Sequence, residues 1–184
     1  MATTIALIAL AVFIPLWGIY TYNKLVRLSV RAEESWREID TQLKRRWDLV
    51  PHLVETVKGY AAHEKGVFTR VIEARAQALA AELPGDQAVA EVELKDALFS
   101  LFAVAEAYPE LRAHENFLQM QRTLVEAEDA IQKTRQYYNA VVRELNLAVL
   151  TLPRNLIAML FRFKPRDFYA LPGEDMADQP PVRF

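Results

Sequence analysis

The sequence predicts an all-α protein, an N-terminal transmembrane helix followed by an up-and-down four-helix bundle with long helices. Three observations predict it. No Asp, Glu, Lys, Arg or His occurs before Lys24. Beyond Lys24, apolar residues recur at helical spacing and no stretch sustains strand alternation. Turn signals are few, with five glycines in 184 residues.

The first element runs from Ile5 to Tyr22 as IALIALAVFIPLWGIYTY. Helical rise makes these uncharged residues about 27 Å long, against a hydrocarbon core of about 30 Å. Ile5, Leu7, Ile8, Phe13 and Ile14 supply the apolar surface. Trp17, Tyr20 and Tyr22 cluster at the end, where amphipathic rings favour the headgroup level. Lys24, Arg27 and Arg31 follow, and no Lys or Arg precedes, so the positive-inside bias places the start of the chain outside and the remainder in the cytoplasm, as a single-pass membrane protein. A cleaved signal would need a basic start and small residues after the apolar run; Ala9-x-Ala11 comes too early and bulky residues fill the later positions. A buried core helix is the remaining alternative. Pro15 and Gly18 are tolerable in lipid where freed backbone groups are re-satisfied.

From Ala32 to Ala61 an apolar stripe (Ala32, Trp36, Ile39, Leu43, Trp47, Val50, Val54, Val57, Ala61) holds a period near 3.6. It passes Pro51 in phase. Two helices meeting there are expected, with Asp48 as N-cap and Pro51 in the new first turn; a kink in one helix is the alternative. The second helix is then expected from Pro51 to Glu82, ended by Leu83-Pro84-Gly85-Asp86, with Gly59 in mid-helix where a neighbour packs close. A third is expected from Gln87 to Ala107. After Tyr108-Pro109 a fourth spans Glu110 to Leu150, about 60 Å by helical rise. Domain bounds follow as 1–23 for the anchor, 24–153 for the bundle, and 154–184 for a basic amphipathic segment and flexible tail, the tail beginning at Asp167.

In 154–166 the cations Arg154, Arg162, Lys164 and Arg166 carry no acid among them. Four passes from the membrane return this segment to the bilayer, where Leu156, Ile157, Met159, Leu160, Phe161 and Phe163 enter the interface and the cations meet anionic headgroups. Alternatively the same apolar residues cap the open end of the bundle. Charge is partitioned: residues 24–82 hold 11 Lys and Arg against 9 Asp and Glu, 83–153 hold 6 against 11, and 154–184 hold 5 against 4.

Chemistry is sparse. Without cysteine there is no disulfide, thiolate metal site or cysteine nucleophile. A net charge of -2 gives no reason to expect nucleic acid as a partner. A di-metal carboxylate bundle needs Glu-x-x-His, but Leu49, Tyr60 and Leu111 stand three residues before His52, His63 and His114. His63-Glu64 lacks a second histidine at Val67, and Ser29, Ser35 and Ser100 sit in no nucleophile motif. No catalytic, cofactor-binding or metal residue is therefore assigned. Two clusters stand out: Lys44, Arg45, Arg46, Trp47, Asp48 and Pro51, read as a capped interhelical corner with a phosphate or partner site as the alternative, and Lys58 to Glu64, read as close helix packing around Gly59.

Several blocks in order carry a resemblance. Tyr22-Asn23-Lys24-Leu25-Val26 follows the apolar run. Then come Trp36-x-x-Ile39-Asp40-x-Gln42-Leu43-Lys44-Arg45-Arg46-x-Asp48-Leu49-Val50-Pro51-x-Leu53-Val54-Glu55-Thr56-Val57-Lys58-Gly59-Tyr60, an Ala-His-Glu, and Ile72-Glu73-Ala74-Arg75. Tyr108-Pro109-Glu110-Leu111, Glu115-Asn116-Phe117-Leu118, Tyr138-Asn139 and Pro153-Arg154-Asn155-Leu156-Ile157-Ala158 close the series. Together they resemble the LemA family over nearly the whole chain. Departures are Ser29-Val30 for a polar pair, His114 in Ala113-His114-Glu115-Asn116, Arg162 where a glycine is common, and Arg166-Asp167-Phe168-Tyr169 for an aromatic-rich end. The resemblance implies a small bacterial inner-membrane protein with one N-terminal anchor and a cytoplasmic four-helix bundle, often associated with membrane peptidases. The expected role is a non-enzymatic interaction scaffold whose partners are lipid, other membrane or cytoplasmic proteins or a second copy, with a lipid-binding or membrane-shaping element and a hydrolase without a visible site as the alternatives. One branch of the family serves magnetosome biogenesis.

Overall fold

The computed structural model describes residues 1–170. These form six helices and no strand: α1 (Ala2–Lys58), α2 (Lys65–Ala80), α3 (Pro84–Glu106), α4 (Pro109–Arg112), α5 (Glu115–Leu150) and α6 (Arg154–Leu160). The expected helical class holds, while six helices replace the four bundle helices and anchor. The described residues group into two compact units, one of residues 1–39 with 134–167 and one of 40–133 with 168–170, so α1 and α5 each contribute to both.

The expected break at Pro51 is corrected, because α1 is continuous to Lys58. A proline inside a helix leaves the carbonyl four residues earlier without its donor, here that of Trp47. Arg75 supplies the missing donor, its Nε giving a hydrogen bond to the Trp47 carbonyl at 2.8 Å. With that carbonyl satisfied and the pyrrolidine ring exposed, the helix has no reason to end, and Asp48 caps nothing.

The helix expected from Pro51 to Glu82 divides instead at Gly59. Lys58 closes α1, and the Tyr60 and Ala61 N–H groups donate to the Val57 carbonyl at 3.0 and 2.9 Å, satisfying orphan acceptors of the last turn. Gly59 therefore lies just past a helix end, and no neighbouring helix packs against it; an added Cβ there meets only the backbone oxygens of Thr56 and Glu55. Further along, α3 starts at Pro84 rather than Gln87, with Pro84 in the first helical position where its missing N–H costs nothing. Gln87 then reaches back, its Nε2 donating to the Ala78 carbonyl at 3.1 Å and covering an end of α2. The fourth expected helix, from Glu110, is interrupted at Ala113-His114, which separates α4 from α5.

In the first unit, Leu25, Leu28, Ala32 and Ile39 of α1 are buried, as are Tyr138, Val142, Leu145 and Ala148 of α5. Both sets step by three and four, the width of one helical face. The pairs Lys24–Glu144 at 3.1 Å and Trp36–Tyr138, with ring centroids 5.4 Å apart, show α1 and α5 running antiparallel there. In the second unit the core is drawn from Leu43, Val50 and Val57 of α1, Val71 and Ala78 of α2, Leu94 and Leu101 of α3, and Phe117 and Ala127 of α5. Small residues along α2 and α3 let these two helices pack closely.

Candidate functional site

Two places bring sequence-predicted residues together, one in each unit. In the first, the anchor residues Ile5, Leu7, Ile8, Phe13 and Ile14 are each more than half exposed. Burial begins abruptly at Thr21 and Leu25, on the same helix. The helix is long and apolar enough to cross a membrane.

Against its end lies the segment after α5. Ile157 lies beside Gly18, where an added Cβ would be in ordinary contact, 3.8 Å from the isoleucine Cδ1. The Tyr22 ring packs on Phe161 and Phe163 with centroids 4.6 and 5.9 Å apart. The four-pass route expected for this segment is corrected, since α1 does not turn back at Pro51; α5 reaches the anchor by running antiparallel to α1. Its apolar residues divide, with Ala158 buried and Ile157 half-buried, while Leu156, Met159, Leu160 and Phe161 are exposed. Arg162 and Lys164 are exposed, Arg154 and Arg166 half-buried.

The chain after α6 is pinned by polar contacts. The Asn146 amide donates to the Arg166 carbonyl and accepts from the Arg166 N–H, both at 2.8 Å. Tyr138 donates its hydroxyl to the Asp167 carbonyl at 2.9 Å. Burial holds the Tyr138 phenol above its ordinary pKa; Arg166 opposes the shift and Asp167 adds to it. Tyr169 is 1% exposed, so the tail expected from Asp167 does not begin before Ala170, and the rest of that expectation lies outside the described residues. Arg162 has φ 59°, the left-handed region that glycine enters freely and other residues at about 1–2 kcal/mol.

In the second unit the helix divides the Lys44–Pro51 cluster. Lys44, Arg45, Asp48 and Pro51 are exposed; Arg46 and Trp47 point into the core. Arg46 is 3% exposed and pairs with Glu91, itself 5% exposed, and with Glu128 at 2.5 Å. Glu91 also accepts from Trp47 Nε1 at 2.8 Å and from Gln87 Nε2 at 3.1 Å. With Arg75 on the Trp47 carbonyl, side chains of α1, α2, α3 and α5 meet in one polar network. A capped corner is thus replaced by a buried, hydrogen-bonded ion cluster inside a continuous helix.

Glu91, Gln87, Glu128 and Arg75 were not singled out from sequence. A signal existed: Gln87, Glu91, Leu94, Leu98, Leu101 and Ala105 step by four and three, so two polar residues occupy an otherwise apolar stripe. The arrangement neutralises a buried guanidinium with carboxylates and holds four helical segments in register. It presents no nucleophile beside a base. His52 and His63 are exposed, and the half-buried His114 ring faces Tyr60 at 6.4 Å. Ser35 and Ser100 donate within their own helices, to Ala32 and Asp96 carbonyls. Among the described residues no three His, Asp or Glu side chains gather as a metal site would require.

Comparison with known proteins adds a family. The model of the LemA family matches residues 35–184. Magnetosome protein MamQ 2 of Paramagnetospirillum magneticum is 25% identical over 174 residues, covering 80% of this chain and 64% of the relative. Magnetosome protein MamQ of Magnetospirillum gryphiswaldense is 24% identical over the same coverage. The chain therefore spans about 64% of the length of the curated relatives it matches.

Proposed function

The chain belongs to the LemA family, and on that premise we propose that it is a non-enzymatic, membrane-anchored interaction protein, a helical scaffold held at the bacterial inner membrane by residues 1–23. The observation that carries this reading is the change of exposure along α1. Large apolar side chains from Ile5 to Ile19 are exposed to a degree that water would not sustain, and the same helix enters a packed core from Thr21 onward. Lipid is the environment that accounts for both halves of one helix.

Orientation rests on charge. Lys24, Arg27 and Arg31 follow the span directly, which supports a cytoplasmic helical domain. Partner proteins, a membrane peptidase or a second copy among them, belong to this reading, as does a part in membrane-protein quality control or membrane-organelle organisation. The MamQ relatives, named as magnetosome proteins, support the latter. The non-enzymatic assignment is supported by a buried polar network in which Glu91 is paired with Arg46 and accepts from Trp47 and Gln87.

A second reading, a lipid-binding or membrane-shaping element, is favoured by Leu156, Met159, Leu160 and Phe161, which are exposed beside the end of the span. Membrane fractionation with alkaline extraction tests the first reading. The intact chain should stay with the membrane, deletion of residues 1–23 should release it, and a cytoplasm-specific reporter fused after Phe184 should be active. Extraction of the intact chain, or reporter activity only in a periplasmic version, would refute it.

A further inference from the structure

The first polar turns of α1 line a groove against α5. Tyr20, Asn23, Lys24, Arg27 and Arg31 from α1 and Glu144 from α5 border a space of ≈ 270 Å³. Lys24, Arg27 and Arg31 are spaced three and four apart, so all three cations share one helical face. Their charges are not equally answered. Glu144 holds Lys24 at 3.1 Å, whereas Arg27 and Arg31 form no ion pair among the described residues and the nearby Glu33 is taken by Arg37 at 2.6 Å. The groove thus keeps two uncompensated guanidinium groups.

Depth decides what meets them. With Tyr20 and Tyr22 at the headgroup level, Lys24 lies about 3 Å and Arg27 about 7.5 Å further along the axis, within the thickness of a headgroup layer. Arg31 lies deeper in the aqueous side, but helical side chains lean toward the N-terminus, here toward the membrane, so its guanidinium reaches back to the same layer. Guanidinium forks match phosphate oxygens in pairs.

We propose that this groove binds the phosphate of one anionic phospholipid, with Arg27 and Arg31 as its ligands. Glu144 keeps Lys24 at the rim and excludes a phosphate from that side, so the anion sits toward the two arginines. The inference rests on the membrane reading of α1 and adds a lipid class to it. It is separate from the cations of 154–166.

The test uses the full-length chain in nanodiscs of phosphatidylcholine mixed with phosphatidylglycerol, followed by native mass spectrometry of the lipid it retains. Nanodiscs have no inside, so altered insertion does not confuse the result. Phosphatidylglycerol should be retained in preference to phosphatidylcholine, and Arg27→Gln with Arg31→Gln should lower its retention by about tenfold. Lys65→Gln with Arg70→Gln, both exposed and far along the chain, should leave it within about twofold; Arg162→Gln with Lys164→Gln, the cations of the other lipid reading, should lower it less than the Arg27/Arg31 pair does; and Glu144→Gln should not lower it. Both arginines are exposed, so unchanged helical melting is expected and separates site loss from unfolding. Equal retention by wild type and the Arg27/Arg31 variant would overturn the site, as would loss tracking Arg162 and Lys164. Displacement of the lipid by inorganic phosphate in solution would overturn the lipid source. Failure of the wild type to enter nanodiscs would overturn the membrane reading and the site with it.

Discussion

Replacing Arg46 with methionine removes the cation from the buried network while keeping most of the side-chain volume. Glu91, 5% exposed, would then remain as a buried carboxylate. Removing one member of a buried pair costs about 3–5 kcal/mol, chiefly through the charge left behind. Trp47 and Gln87 still donate to Glu91 at 2.8 and 3.1 Å, which places the expected cost near the lower end, about 3 kcal/mol. For a chain of this size that is a fall in melting temperature of roughly 6–12 °C. The second carboxylate behaves differently. Glu128 has a side chain 42% exposed, so solvent screens it and Glu128→Gln should cost at most about 1 kcal/mol. The decisive comparison is the double variant Arg46→Met with Glu91→Gln. A glutamine still accepts from Trp47 and Gln87 but carries no charge, so the double variant should melt above Arg46→Met alone, recovering about 2 kcal/mol. Circular dichroism melts of the three proteins in mild detergent measure this. A wild-type melting temperature for Arg46→Met, or a double variant no better than the single one, would refute the view that the pair is a structural cluster.

Three further outcomes follow from the same contacts. Arg75→Met should destabilise by about 1–3 kcal/mol by orphaning the Trp47 carbonyl, and by much less in a Pro51→Ala background, where residue 51 regains its N–H; equal losses in both backgrounds would count against the substitution of one donor for the other. Arg162→Gly should leave the fold intact and raise stability by about 0.5–1 kcal/mol, because φ 59° strains a residue with a Cβ; a clear loss in a melt would show that the arginine side chain outweighs its backbone. Tyr138 holds its proton more tightly folded than unfolded, so its contribution is complete below pH 10 and is lost as pH rises above 10 through the folded-state value; Tyr138→Phe should abolish that part of the alkaline fall, and an unchanged profile would contradict it.

What the sequence disclosed depended on how local the determinant was. The long apolar start of α1 is legible because its signal, no charge before Lys24, is complete within 23 residues. The α1 stripe from Ala32 to Ala61 is readable for the same reason, but its unbroken phase past Pro51 fits one kinked helix as well as the two that were expected. The reason Pro51 does not break the helix was not readable, because the compensating donor is Arg75, distant in sequence and on another helix. Gly59 shows the converse: in an apolar pattern it looked like a close-packing position, yet the backbone turns there. In the polar cluster, the triplet Lys44-Arg45-Arg46 reads as one patch in sequence, whereas a helix turns successive residues by 100° and sends only Arg46 inward. Its carboxylate partner Glu91 was hidden by the same rule, since a charged residue in an apolar stripe is visible only when the stripe is trusted. The meeting of Tyr22 with Phe161 and Phe163 depends on where α5 ends relative to α1, a property of the fold that no short motif carries.

On the membrane reading, the first turns of α1 lie in lipid while the helices beyond it lie in water. The chain contains no cysteine, so Phe13→Cys and His63→Cys each give a single labelling position. Fluorophores at these two sites, read in vesicles with quenchers fixed along the acyl chains, measure depth directly. Strong acyl-chain quenching is expected at residue 13 and none at residue 63, with a water-soluble quencher giving the reverse. Water-soluble quenching at residue 13 equal to that at residue 63 would contradict it.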